Sequence, residues 1–413
     1  METLAIHGGN PVKTTPFHTE PRFGKEELKQ VEEALNQNTL FYWRGTKVKE
    51  LNRKFAELYG TKYCVATSSG TAAIHTALGA VGVTAGDEVI TSPVTDMGSI
   101  IGIIYQNAIP VFADIDPYTY NMSPEAIEAC ITDKTKAIIV VHLMGNAADM
   151  DRIMEIAKRH NVAVIEDCAQ AYMTYYKGRL AGTIGDIGCF SLNDFKHISA
   201  GDGGLCITND ENLYKRAWKF SDKNYSRTGE DVGRTIPYIA PNYRMSELVG
   251  AVGIAQVDKV VSICKRRNRI GEKITAAIKD LPGIYPPAVY GDSKSSYFAY
   301  LFRLNEAELG ADVKTFIQAL KAEGIPCYKG YIDSCVYEYD MFKNKTGFEG
   351  THAPFDSPNY GREIEYKTGM CPIAEEVIQT SVRIYLKEYY TEQDVQEIIA
   401  GIRKVALWYS SHK

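Results

Sequence analysis

Between residues 63 and 167, short apolar runs alternate with helical spacing, and this alternation restricts the fold more than any other feature of the chain. The runs at 63–67, 88–91, 111–115, 137–142 and 162–165 are rich in Val, Ile, Ala and other apolar residues. Between and after them the spacing predicts helices opening at Ser68-Ser69-Gly70-Thr71 and continuing to 80, then at 124–131 and 151–158. Strands that are apolar on both sides need cover on both faces, so the pattern predicts a mostly parallel sheet sandwiched by helices, an α/β fold. Ligands on such sheets gather at the carboxyl ends of the strands, where Thr95, His142, Asp167 and Ser191 fall. No G-x-G-x-x-G follows a strand, which argues against a dinucleotide-binding domain.

The flanking sequence adds a second region. Residues 23–35 show helical spacing with Leu28, Val31 and Leu35 on one side, and 47–59 form another helix. The aromatic patch between them, 40–43, reads as core or as contact with a second copy. From Arg244 the pattern turns helical, first over 245–258 and then over 260–281, before Pro282-Gly283 and Pro286-Pro287 end it. Strand 297–303, helix 311–323, strand 326–329, an unpatterned polar stretch at 351–367, strand 381–386 and helix 392–405 complete the chain. At 413 residues about two domains are expected. We place a large domain at 1–255 and a smaller C-terminal α/β domain at 256–413, with the N-terminal segment crossing back to the smaller one.

Composition excludes some classes of function. A formal charge of −5, with no dense basic block beyond Lys265-Arg266-Arg267, argues against a nucleic-acid partner. There is no run of eighteen apolar residues, and the opening METLAIHGGN lacks the layout of a signal peptide, so neither a membrane nor export is expected. Nine cysteines without a C-x-x-C pair suit buried free thiols in the cytoplasm, with neither disulfides nor a metal site.

The chemistry centres on Lys196. It follows an apolar run ending at Phe190 and precedes the turn Gly201-Asp202-Gly203-Gly204 and a further strand, 205–208. A lysine held between two short strands is poorly hydrated, which disfavours its charged form, and a neutral amine forms Schiff bases with carbonyl groups. Asp167 ends a second strand. A strand-end acid together with such a lysine suggests pyridoxal phosphate, the lysine holding its aldehyde and the acid keeping its ring nitrogen protonated. Gly70 and Thr71 at a helix start then form a phosphate cup, since small residues let backbone N–H groups approach an anion.

The segments TSSGTAAIHTAL (67–78), IEDCAQA (165–171), FSLNDFKHISAGDGG (190–204) and PNYRMSELVGAVGIAQ (241–256) resemble the DegT/StrS sugar aminotransferases. Those are pyridoxal-phosphate enzymes of the aspartate-aminotransferase fold. The resemblance runs from about residue 4 to about 405. It implies that Lys196, five residues after Ser191, is the cofactor lysine. A branch of the family that dehydrates its substrate has histidine at this position, and here His197 is only the neighbour. Asp167 would pair with the pyridine nitrogen, Gln170 would face the phenolic oxygen, and Ser191 would reach the phosphate. Asn242 matches a residue that serves the partner subunit's phosphate, which implies a homodimer with shared active sites. Arg244 serves that role or clamps a donor carboxylate. The aromatic patch at 40–43 would face the mouth of the site.

One position departs from the family pattern. Where many members stack an aromatic residue on the pyridine ring, this chain has Asp96, followed by Met97. Either Met97 covers the ring or Asp96 marks a subgroup. His142 either lines the pocket or is a satisfied core histidine. The resemblance implies transfer of an amino group from glutamine or glutamate to a keto-cyclitol or keto-sugar. The opening LAIHGGNPVKTTPF, FYWRGTKVKEL and MCPIAEE are closest to the branch of scyllo-inosose aminotransferases and 3-amino-5-hydroxybenzoate synthases. A dehydratase or aromatising enzyme, or a non-catalytic regulator, is the alternative.

Overall fold

The computed structural model describes residues 2–227 and 236–412. Its largest sheet contains β1 (Tyr63–Thr67), β2 (Glu88–Thr91), β3 (Ile109–Phe112), β4 (Thr135–Val141), β5 (Ala163–Asp167), β6 (Ile187–Ser191) and β7 (Gly204–Thr208). The strands lie in the order β1-β7-β6-β5-β4-β2-β3. The pairs among β2 to β6 are parallel, and β7 alone runs against both of its neighbours. The sheet is apolar on both faces because alternate side chains serve different layers. Ile139, Val141 and Ile165 pack with α3 (Gly70–Val81) through Ala73, Ala77 and Leu78, whereas Ile138, Val140 and Val164 pack with α4 (Met150–His160) through Ile153 and Ile156.

Three expectations change. The helix α1 (Lys25–Asn36) forms, yet Leu28 and Leu35 are 71% and 57% exposed. Its buried residues are Glu27 and Ala34. Glu27 is drawn inward by Gln256 Nε2 at 2.8 Å and Lys259 Nζ at 2.5 Å, and it also accepts from the Gly24 amide at 2.7 Å. Charge pairing sets the face of this helix, not its leucines. β3 starts at Ile109, two residues before the expected strand. Finally, 245–258 and 260–281 are not two helices but one, α5 (Glu247–Ile278), because nothing between Asp258 and Val260 breaks a helix. Residue 255, the expected domain boundary, lies inside it. The first half of α5 packs Ile254 and Val257 with Leu51 and Phe55 of α2 (Lys47–Tyr59); the second packs Ile270, Ile274 and Ile278 on a different core.

That second core lies on an antiparallel sheet of β8 (Ile284–Tyr285), β9 (Tyr300–Leu304), β10 (Tyr328–Lys329) and β11 (Ser381–Ile384), in the order β8-β9-β11-β10. The helices α6 (Val313–Ala322) and α7 (Glu392–Ser411) cover it. The N-terminal arm joins this core: Leu4 is fully buried there, and Lys13 Nζ reaches Asp394 Oδ1 at 2.9 Å. The stretch 351–367 is without helix or strand. It nevertheless ties to the large sheet, for the Tyr360 hydroxyl donates to Glu88 Oε1 at 2.9 Å and that of Tyr366 to the Pro110 carbonyl at 2.7 Å.

Candidate active site

A cavity of about 330 Å³ opens where β4, β5 and β6 end and α3 begins. Asp167 is the last residue of β5, so its side chain enters the cavity floor. Its Oδ2 accepts from Ser99 Oγ at 2.6 Å and its Oδ1 from the Ala169 amide at 3.0 Å. Thr95 Oγ1 fixes Ser99 Oγ at 2.7 Å. Burial raises the Asp167 carboxyl above the usual carboxylate range, and the Ser99 and Ala169 hydrogen bonds offset this only partly.

Lys196 enters from the loop between β6 and β7. Its amide donates to the Asn193 carbonyl at 2.9 Å, and Arg22 holds the same loop through the carbonyls of Asp194 and Lys196. Nζ lies 5.1 Å from the centroid of the Phe298 ring and has no hydrogen-bond partner among the described residues. Burial lowers its pKa, against the opposing charges of Asp167 and Asp96. An amine with no partner, in a polar cavity and easier to deprotonate than usual, is a nucleophile ready for a carbonyl carbon.

The start of α3 lines the cavity. Ser69 caps the helix, its Oγ accepting from the Ala72 amide at 3.0 Å, while the amides of Gly70 and Thr71 are without partners among the described residues. A Cβ on Gly70 would sit 2.6 Å from Ser191 Cβ, so glycine is what lets the helix start approach β6 and the Ser191 hydroxyl. Gln170 Oε1 accepts from the Met144 amide at 2.9 Å and Nε2 donates to the Tyr331 hydroxyl at 2.8 Å. Its orientation is thus fixed, with one N–H left for the cavity.

These groups fit pyridoxal phosphate: two free amides and a hydroxyl for an anion, a buried acid for a protonated ring nitrogen, an amide donor for an oxyanion, and an unpartnered amine for an aldehyde. Gly70, Thr71, Asp96, Asp167, Gln170, Ser191 and Lys196 all line the one cavity.

His142 does not line it. It is fully buried, its Nδ1 accepting from the Ala148 amide at 3.1 Å and its Nε2 donating to Glu166 Oε2 at 2.9 Å. It is the satisfied core histidine of the two readings. Glu166, His142 and Cys168 bring possible metal-ligating atoms within 4.8 Å of one another, but both nitrogens of His142 and both oxygens of Glu166 are already hydrogen-bonded. Met97 packs with the apolar cluster around Phe112 and Tyr337 and does not cover the cavity. Asn242 is exposed, and Arg244 Nη1 donates to Asp222 Oδ1 at 2.8 Å; both lie outside this chain's own cavity. The residues that sequence reasoning missed are Ser99, Tyr331, Phe298 and Tyr385. Ser99 had a local signal, a hydroxyl three residues past Asp96 on a loop leaving a strand end. The others come from the C-terminal region and had none.

Comparison with known proteins points the same way. The profile of the DegT/DnrJ/EryC1/StrS aminotransferase family matches residues 21–356. The spore coat polysaccharide biosynthesis protein SpsC of Bacillus subtilis is 33% identical over 93% of this chain and 95% of its own length. The L-glutamine:2-deoxy-scyllo-inosose aminotransferase of Streptomyces kanamyceticus is 35% identical over 79% of this chain and 80% of its own. Among solved structures, an aminotransferase from Psychrobacter cryohalolentis matches with a TM-score of 0.81 at 30% identity, covering 96% of this chain and 100% of that one.

Proposed function

The chain belongs to the DegT/DnrJ/EryC1/StrS aminotransferase family, and from that premise we propose that it moves the amino group of glutamine or glutamate to a keto-cyclitol in the cytoplasm. It is an aminotransferase of amino sugar or aminocyclitol biosynthesis. The cyclitol is favoured over a nucleotide-linked sugar by the likeness to the scyllo-inosose enzyme. The observation that carries the reading is the unpartnered amine of Lys196 in a cavity whose floor is the buried Asp167.

Pyridoxal phosphate, when bound, supplies an aldehyde carbon and an electron-withdrawing ring. The amides of Gly70 and Thr71 with the Ser191 hydroxyl would hold its phosphate, Asp167 would keep a proton on its ring nitrogen, and Gln170 would donate to its phenolic oxygen. Lys196 would hold the aldehyde carbon. Once released, its amine takes a proton from the donor's α-carbon in the first half-reaction and returns one to the acceptor carbon in the second. We read the chain as a large domain that carries these groups and a smaller C-terminal domain joined by the N-terminal arm.

Asn242 and Arg244 act in trans, which makes the working unit a homodimer. Their place outside the chain's own cavity supports this, as do exposed apolar side chains such as Phe195 at 77% and Ile239 at 93%. The test is to incubate the protein with pyridoxal phosphate, 2-deoxy-scyllo-inosose and glutamine labelled with heavy nitrogen at the α-position. A ring amine carrying the label is expected. A dehydrated or aromatised product would favour the alternative chemistry, and no product with any ketone or donor would favour a regulator.

A further inference from the structure

The loop that carries Lys196, residues 192–203 between β6 and β7, contains neither helix nor strand. Within it the carbonyls of Asp194, Lys196 and His197 accept from no backbone N–H among the described residues. One side chain from far upstream takes all three. Arg22 Nη1 donates to the Asp194 carbonyl, while Nη2 donates to that of Lys196 and, at 3.2 Å, to that of His197. A guanidinium is a planar fork, and here its two outer nitrogens straddle the loop on either side of Phe195. The grip fixes the backbone from which the Lys196 side chain leaves.

Gln256, buried on α5, closes the arrangement. Its Nε2 donates to the Arg22 carbonyl at 3.3 Å and to Glu27 Oε1 at 2.8 Å, and its Oε1 accepts from the Ser199 amide at 3.1 Å. Ser199 Oγ in turn donates to Asp194 Oδ1 at 3.1 Å. Arg22 is anchored upstream as well. The amides of Ala5 and Val12 donate to the Glu323 carboxylate at 2.8 and 3.0 Å, and Lys13 Nζ and the His18 amide both reach Asp394. Glu323 follows α6 and Asp394 lies on α7, in the C-terminal region that also supplies Phe298, Tyr331 and Tyr385 to the cavity. One segment thus ties the lysine loop to the opposite wall. Neither Arg22 nor Gln256 lines the cavity, so any effect on chemistry passes through Lys196.

We propose that Arg22 is a positioning residue for Lys196, its forked grip on three carbonyls keeping Nζ at the reacting carbon while the amine carries protons. The proposal rests on the aminotransferase reading. Lysine is long and flexible, and Nζ has no hydrogen-bond partner in the cavity to steady it once it is released. The backbone must then do the steadying, because proton transfer needs hydrogen-bond reach and a misplacement of about 1 Å costs on the order of 100-fold. An ammonium at position 22 would keep the charge but offer its donors from a single nitrogen, so lysine is not an equivalent.

The experiment compares wild type with Arg22→Gln and Arg22→Lys in two ways. In the cofactor-free protein, hydrogen exchange read by mass analysis should be about 10-fold faster or more over residues 193–199 in Arg22→Gln, with the peptides of β5 and β6 unchanged. In the protein loaded with pyridoxal phosphate, glutamine should bleach the visible band about 10-fold more slowly or worse at saturation. The half-saturating glutamine concentration should stay within about twofold, because Arg22 touches neither donor nor cofactor. Arg22→Lys should be slowed nearly as much, and it keeps the test decisive where the glutamine variant does not fold. The single-turnover rate constant does not depend on the amount of folded enzyme, so a loss of stability alone would leave it unchanged. A wild-type rate constant in either variant, a loss confined to half-saturation, or unchanged exchange would each overturn the proposal. A wild type that neither glutamine nor glutamate bleaches would count against the aminotransferase reading instead, and the exchange result then decides the grip by itself.

Discussion

Glu166 and Asp167 are neighbours at the end of one strand, both buried, and they have opposite surroundings. Glu166 faces away from the cavity and is saturated: Oε2 takes His142 Nε2 at 2.9 Å and the Gly182 amide at 2.8 Å, and Oε1 takes the amides of Ile184 at 2.7 Å and Gly185 at 2.6 Å. Burial would raise its pKa, but the hydrogen bonds from His142 and from the amides of Gly182 and Gly185 outweigh it and hold it low. Asp167 has two donors, and for it burial prevails. Strand alternation alone puts the two on opposite faces. The difference separates an acid that closes the fold from one left with spare accepting capacity, as partnering a cationic ring nitrogen requires.

Variants on the cavity side should therefore lose chemistry and keep the fold, and those on the other side should do the reverse. The largest effect is expected for Lys196→Ala, which should cut amine transfer by ~10⁴-fold or more with an unchanged urea midpoint for the cofactor-free protein. Retained turnover would remove Lys196 from the chemistry. Glu166→Gln places an amide against N–H donors in a buried site, and a loss of roughly 3 kcal/mol in urea unfolding is expected. A variant as stable as wild type would erase the distinction between the two acids.

For Asp167 the sharper readout is pH. Its carboxyl is raised on folding, so its contribution is fully present below the unfolded value, near pH 4, and is lost as pH rises through the folded value. Asp167→Asn removes that loss, so the cofactor-free variant should gain on wild type as pH rises from about 4 towards neutrality. Glu166 has the reverse sign: its stabilisation is present above the unfolded value and lost as pH falls through the folded one. Parallel urea titrations that slope the same way for both positions would contradict the assignment. The smallest effect belongs to Ser99→Ala, which removes one donor from Asp167 and should cost about 1 kcal/mol of stability, with cofactor affinity measurably altered.

The sheet was legible because its strands are continuous apolar runs, and the gathering of Gly70, Thr71, Asp167 and Lys196 at one cavity was legible because all sit within a few residues of strand ends. His142 also sits at a strand end, but position along a strand does not say which face a side chain takes or what waits for it there. The Ala148 amide and Glu166 do, and neither has a signature near His142. The leucines of α1 misled for a similar reason, since its buried face follows Glu27, whose partners Gln256 and Lys259 lie more than two hundred residues away. Tyr331 was hidden because its value comes from meeting Gln170 across the fold, and no spacing records that.

The most direct measurement of the central claim, that Lys196 above Asp167 is where the cofactor is held, is reductive trapping. The protein is loaded with pyridoxal phosphate, its visible absorption recorded with and without glutamine, and the complex then reduced with borohydride and digested for peptide mass analysis. The structure predicts a visible band that glutamine bleaches and a single pyridoxyl group, carried by the peptide that contains Lys196. A label on any other lysine, or no stable label in a folded protein, would contradict it.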